Sequence, residues 1–160
     1  IRSSSPSMKM PVVYNPSLCV IVQGKKEVML EDEIYRYVPS EYLVASVDLP
    51  VTGQVTEATP ERPYLSIQID IDPNHLSELI TQMNGEPVPE VGSIARGLFV
   101  DVLDGTLTDA VLRLVRLLET PGDIPMVAPI VRREICYRLL SGAQGKRIAQ
   151  IAVKGSHAQR

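Results

Sequence analysis

The residues of this sequence best suited to hold a small polar ligand are Gln23 and Lys25, beside Gly24, and Tyr35, Tyr37, Tyr42, Tyr64 and Gln68, in runs rich in strand formers. Tyrosine combines an apolar body with a polar tip, the mixture a ligand pocket needs. The same tyrosines also serve strand propensity and packing, and Lys25 and Lys26 read most simply as a solvated turn that discourages edge pairing.

Catalytic and metal chemistry find less support. A metal-binding barrel needs several imidazoles converging with a carboxylate, whereas this chain has only His75, at a predicted helix start, and His157, near its end. No metal ligands or cofactor are predicted. There is no G-x-S-x-G nucleophile turn, no G-x-x-x-x-G-K-[ST] phosphate cradle and no G-x-G-x-x-G. "LPVTG", from Leu49 to Gly53, has the letters of a sorting signal but lies in mid-chain between predicted strands. Cys19 and Cys136 each sit in an apolar run and are expected to be reduced and buried. The chemistry available is that of binding, and no enzymatic activity is predicted.

The elements that would position these residues follow from length and patterning. At 160 residues the chain fits one compact domain, and 44% hydrophobic with 22% charged residues is an ordinary globular balance. A net charge of −3 and a pI near 5.4 argue against gripping a phosphate backbone. No run of about 18 apolar residues predicts a membrane span, and "IRSSSPSMKMP" lacks a signal-peptide core, so a cytoplasmic protein is expected. The start at Ile1, without Met, reads as a cut piece of a longer chain.

From Val12 to Ile71, runs of about five to eight apolar or β-rich residues alternate with turn residues, the spacing of an antiparallel sandwich or barrel. Leu18–Gln23 is expected to form a hairpin with Glu27–Leu30 through Gly24-Lys25-Lys26. Strands at Ile34–Tyr37, Tyr42–Val47 and Gly53–Glu57 follow, broken at Pro39-Ser40 and Asp48-Leu49-Pro50. In "YLSIQIDI", Leu65, Ile67, Ile69 and Ile71 are expected to face the core, with Tyr64, Ser66, Gln68 and Asp70 on a solvated face.

Helical signals then take over. Asp72 caps a short helix with Pro73 in its first turn, Leu76, Leu79 and Ile80 forming its stripe and Asn84-Gly85 its end. The loop "NGEPVPEVG" leads to a returning strand within Ile94–Val102. Thr106 opens the strongest helix, Thr106–Glu119, through a capping box with Asp109. A second helix, about Pro125–Leu140, completes a helical hairpin, with Glu134 and Arg138 spaced as an ion pair. A last helical stretch covers about Lys146–Val153. The apolar face of Thr106–Glu119 spans an arc of about 160°, wider than one contact requires. Leu107, Val111, Leu114 and Leu118 follow a coiled-coil seam and are the candidate dimer interface.

Five segments in order, "NPSLCVIVQGKKEVML", "YRYVPSEYLVASVDLPVTGQVTEATPERPYLSIQIDID", "LVRLLETPGD", "APIVRREICYRLLSG" and "IAQIAVKGS", resemble the N-terminal domain of AraC-type transcriptional regulators over nearly the whole chain. The resemblance implies an α+β fold: a cupin-like antiparallel β-sandwich or barrel, about residues 10–104, followed by helices, about 105–153. It implies a homodimer with a small-molecule effector, in a regulator that reads DNA only through a C-terminal helix-turn-helix half, which lies outside this chain. A cupin-type enzyme and a dimerisation domain without a ligand are the alternatives.

Overall fold

A computed structural model of the chain describes residues 1–83 and 97–158, with the backbone alone for residues 154–158. The expected helix end at Asn84-Gly85, the "NGEPVPEVG" loop and the first residues of Ile94–Val102 lie outside the described residues. The chain divides into two compact units, one built of strands and one of helices.

The β unit holds two antiparallel sheets. One runs, in spatial order, β1 (Arg2–Ser3), β8 (Tyr64–Asp70), β3 (Ser17–Gln23), β6 (Glu41–Ala45) and β9 (Leu98–Val102). The other runs β2 (Met10–Tyr14), β7 (Leu49–Glu57), β4 (Lys25–Leu30) and β5 (Glu33–Tyr37). Cys19, Ile21, Leu43, Ala45, Tyr64 and Leu98 of the first sheet and Tyr14, Val28, Leu30, Tyr37, Val51 and Val55 of the second form one buried cluster. The unit is therefore a sandwich, held by apolar area removed from water between the two sheets.

The expected hairpin of Leu18–Gln23 with Glu27–Leu30 does not form. β3 pairs with β6 and β8, whereas β4 pairs with β5 and β7, so the chain changes sheets at Gly24. Gly24 has φ +85°, and a Cβ there would stand 2.6 Å from the Glu57 carbonyl oxygen. The glycine serves a close crossing between layers, which from sequence looks the same as a hairpin turn. The true hairpin joins β4 to β5 across Glu31 and Asp32, pairing Leu30 with Glu33, and Glu31 takes φ 53°. The expected break at Asp48-Leu49-Pro50 is also shorter than predicted, since Leu49 and Pro50 already pair with β2. Pro50 is tolerated because β4 meets β7 only from Thr52 onward, so no ladder hydrogen bond is lost on that side.

The facing of β8 is the reverse of expectation, with Tyr64, Ser66 and Gln68 on the face that carries Cys19 and Ile21. Tyr64 and Ser66 are buried, and Tyr64 belongs to the cluster between the sheets. Gln68 and Asp70 are exposed. Leu18, Val20, Val44, Ile69 and Phe99, on the other face of this sheet, are buried as well. With both faces apolar, period-two alternation does not say which one lies inside the sandwich.

The helical unit contains α1 (Pro73–Gln82), α2 (Gly105–Arg116), α3 (Ile124–Ser141) and α4 (Gly145–Ala158). Asp72 caps α1 as expected, its side chain accepting from the Asn74 N–H at 2.8 Å. At α2 the cap is Asp104 rather than Thr106: its Oδ1 accepts from the Leu107 N–H at 2.8 Å and from the Thr106 hydroxyl at 2.7 Å. These bonds hold the Asp104 carboxyl below the usual carboxylate range. Two short 3-10 turns, Leu117–Glu119 and Pro121–Asp123, join α2 to α3. The predicted Glu134–Arg138 pair forms at 2.8 Å, and Arg113 of α2 reaches the same carboxylate at 2.5 Å, tying the helical hairpin together. α4 continues to Ala158, one turn past the expected Val153.

Two substitutions check these assignments by denaturant unfolding. Gly24→Ala is expected to cost at least about 1–2 kcal/mol, the penalty of a left-handed backbone for an L-residue. Asp104→Ala is expected to cost about 1 kcal/mol, and Thr106→Ala distinctly less.

Candidate functional site: a lysine among tyrosines between the sheets

The seven residues singled out for ligand contact fall in several places. Gln23 Nε2 donates to the Pro63 carbonyl at 2.7 Å, and Lys25 pairs with Glu57 at 2.9 Å on the surface. Tyr42 is buried on the outer face of its sheet, in register with Val20. Gln68 is exposed, and Tyr35 packs partly buried against the edge of the core, its hydroxyl donating to Glu33 at 2.7 Å. Tyr37 and Tyr64 come together: they are 1% and 2% exposed, and their hydroxyls are hydrogen-bonded to each other. Tyr64 is also hydrogen-bonded to Ser66.

Three residues not singled out complete this group. Tyr14, at the end of β2, is buried in the same cluster. Cys19 lies on the inner face of β3, with its Sγ 4.0 Å from the Ser17 hydroxyl. The third is Lys26. It is the second residue of β4, in register with Tyr37 on one side and Val55 on the other, two and four residues before the buried Val28 and Leu30. Strand alternation therefore turns its side chain inward. Its Nζ donates to the Tyr14 hydroxyl at 2.7 Å and stands 5.3 Å from the centre of that ring. The stem has room because position 53 is glycine: a Cβ there would lie 3.3 Å from Lys26 Cε. Counting back by two from Val28 would have found Lys26, but the assumed hairpin turn hid it.

Burial governs the electrostatics. It lowers the Lys26 pKa, because an ammonium loses more hydration than an amine, and it raises those of Tyr14, Tyr37, Tyr64 and Cys19. The hydroxyls and the thiol therefore keep their protons at neutral pH. No carboxylate among the described residues pairs with Lys26; its polar partner is Tyr14. An ammonium has three N–H donors, and Tyr14, having accepted one of them, still has its own proton to give. The pair can thus present donors to an oxygen atom of a ligand. Among the described residues there is no group of three or more His, Cys, Asp and Glu that could hold a metal, and His75 only approaches Asp72, at 3.7 Å. No helix among them is long and apolar enough to cross a membrane.

The β unit is thus a two-sheet sandwich that carries polar side chains in its interior. The chain belongs to the AraC-type transcriptional regulator N-terminus family, whose model matches residues 1–147. That membership points to a regulatory domain. No curated protein matches the chain. Among solved structures it is similar to ToxT from Vibrio cholerae in three states. The apo form of a variant has a TM-score of 0.61 at 8% identity, over 94% of this chain and 61% of that one. A form bound to an unsaturated fatty acid has a TM-score of 0.58 at 9% identity, over 93% and 56%. A form bound to a methylnaphthalenyl butenoic acid has a TM-score of 0.59 at 10% identity, over 99% and 62%. At such identities the likeness is one of fold, and the chain spans about three fifths of the length of these structures.

The desolvated ammonium makes a test of the site. Because the Lys26 pKa is lower folded than unfolded, the unfolded chain holds the extra proton between the two values, and stability rises with pH across that interval. Lys26→Met removes this half-buried charge. It is expected to raise the melting temperature at neutral pH and to flatten the rise of stability with pH above neutrality, both read by thermal unfolding.

Proposed function

We propose that this chain is the effector-binding and dimerisation half of a DNA-binding transcriptional regulator, and that its effector lies between the two sheets with an oxygen-bearing head on Lys26 and Tyr14. One observation carries this reading: an inward-facing lysine with no carboxylate partner among the described residues. Left without a ligand such a group costs stability, which is the usual mark of a site kept for function. The ToxT structures with a fatty acid and with an aryl butenoic acid support a ligand that joins an oxygen head to an apolar body. Tyr37 and Tyr64 line the site, and Gln23, Lys25, Tyr35, Tyr42 and Gln68 are supporting positions outside its centre. DNA is bound through a helix-turn-helix half beyond this chain, in a cytoplasmic protein.

Dimerisation is assigned to the helical hairpin. Of the predicted seam, Leu107 and Val111 are buried in the monomer, Leu114 is half-buried and Leu118 is 73% exposed. α3 adds Met126, 76% exposed, Ile130, 67% exposed, and Tyr137, on a face opposite the buried Val131, Ile135 and Leu139. Leu114 and Leu118 with this α3 face make the apolar surface available to a second copy, and two DNA-binding halves need such a pairing to meet paired half-sites.

Two experiments test the reading. In a thermal-shift series, hexanoate or hexanol at about a hundred times its dissociation constant stabilises the chain by about 2.7 kcal/mol, several degrees at this size, and Lys26→Met abolishes the shift. A flat response from oxygen-headed aliphatic compounds of every length would leave dimerisation alone as the function. In sedimentation, Leu118→Arg with Ile130→Arg is expected to give a folded monomer, whereas a persistent dimer would place the interface elsewhere.

A further inference from the structure

Lys26 has properties that holding an anion does not require. An anion clamp gains from a permanent, bidentate charge, which arginine supplies, whereas a lysine desolvated among apolar groups loses charge and gains a free electron pair on nitrogen. Burial favours the neutral amine at Lys26 and keeps the neighbouring Tyr14 hydroxyl protonated. An amine whose nitrogen lies 2.7 Å from a phenolic oxygen, in a part-buried position, is equipped for carbonyl addition.

We propose that Lys26, assisted by Tyr14, captures a small aldehyde with an apolar tail as an imine, so that the effector class of this site is an aliphatic carbonyl compound. This rests on the reading of the space between the sheets as the effector site. The Lys26 nitrogen pair forms a bond to the carbonyl carbon as the C=O π pair moves to oxygen, which takes the Tyr14 proton. A proton leaving nitrogen restores Tyr14. Tyr14 then protonates the carbinolamine hydroxyl, water departs, and the remaining nitrogen proton returns to Tyr14. The two amine hydrogens and the carbonyl oxygen leave as water, and no oxidant or reductant takes part. Cys19 is a weaker competitor, because burial holds its thiol protonated.

The test uses the intact chain with hexanal and cyanoborohydride at neutral pH, which fixes an imine as a hexylated lysine. Peptide mapping is expected to find Lys26 modified faster than the exposed Lys25 beside it, since burial makes the neutral amine of Lys26 more abundant. Tyr14→Phe is expected to slow that modification about tenfold or more, the least that a positioned acid contributes. Modification of Lys26 no faster than Lys25 in the unaltered chain overturns the proposal, whether or not the Tyr14 variant folds. If hexanol or hexanoate then still stabilises the chain through Lys26, capture falls while the effector site stands. If no hexyl compound stabilises it, both fall.

Discussion

The Lys26 ammonium occupies a position where strand alternation in a β-sandwich ordinarily places a methyl group or a ring. Val28 and Leu30, the next two inward residues of the same strand, fill their places in that ordinary way. The rest of the interior is arranged around the exception. Gly53 leaves room for the lysine stem, Tyr14 accepts one of its protons, and the hydroxyls of Tyr37, Tyr64 and Ser66 satisfy one another nearby. No buried side-chain nitrogen or oxygen among the described residues lacks a partner. Such a network is worth keeping only when it is complete, because a buried polar group without a partner costs more than an apolar one in its place. The apolar remainder of the sandwich supplies the stability that this cluster subtracts.

The second constraint is the crossing at Gly24. The backbone leaves one sheet and enters the other within a single residue, passing so close to β7 that a Cβ would meet the Glu57 carbonyl. This crossing sets the parity of β4 and so turns Lys26 inward and Lys25 outward to Glu57. One residue more or less there would exchange the two lysines. Adjacent in sequence and identical in type, they differ in environment because of that register alone.

Much of the architecture was legible in the sequence because it rests on local chemistry. Strand-length apolar runs, Asp72 before Pro73, and the four-residue spacing of Glu134 and Arg138 each act within a few residues, and each forms as read. Partner choice between strands was not legible, since Gly24-Lys25-Lys26 fits a hairpin and a sheet crossing equally well. The inner and outer faces of β8 were ambiguous for a related reason, with apolar residues on both sides. The site inherited these errors. Of the candidate site, Tyr37 and Tyr64 were singled out by residue type, whereas Lys26 and Tyr14 were not, because only register brings β2, β4 and β7 together around them.

The central claim is that Lys26 is a desolvated amine held open for a ligand, and lysine-selective NMR of the Cε and Nζ nuclei tests it most directly. The chain has five lysines, at positions 9, 25, 26, 146 and 154. A pH titration is predicted to show the Lys26 resonance titrating below the ordinary lysine range, with Tyr14→Phe perturbing it and an oxygen-headed aliphatic ligand shifting it before any other lysine. A Lys26 resonance that titrates in the ordinary lysine range and ignores every such ligand would contradict the account.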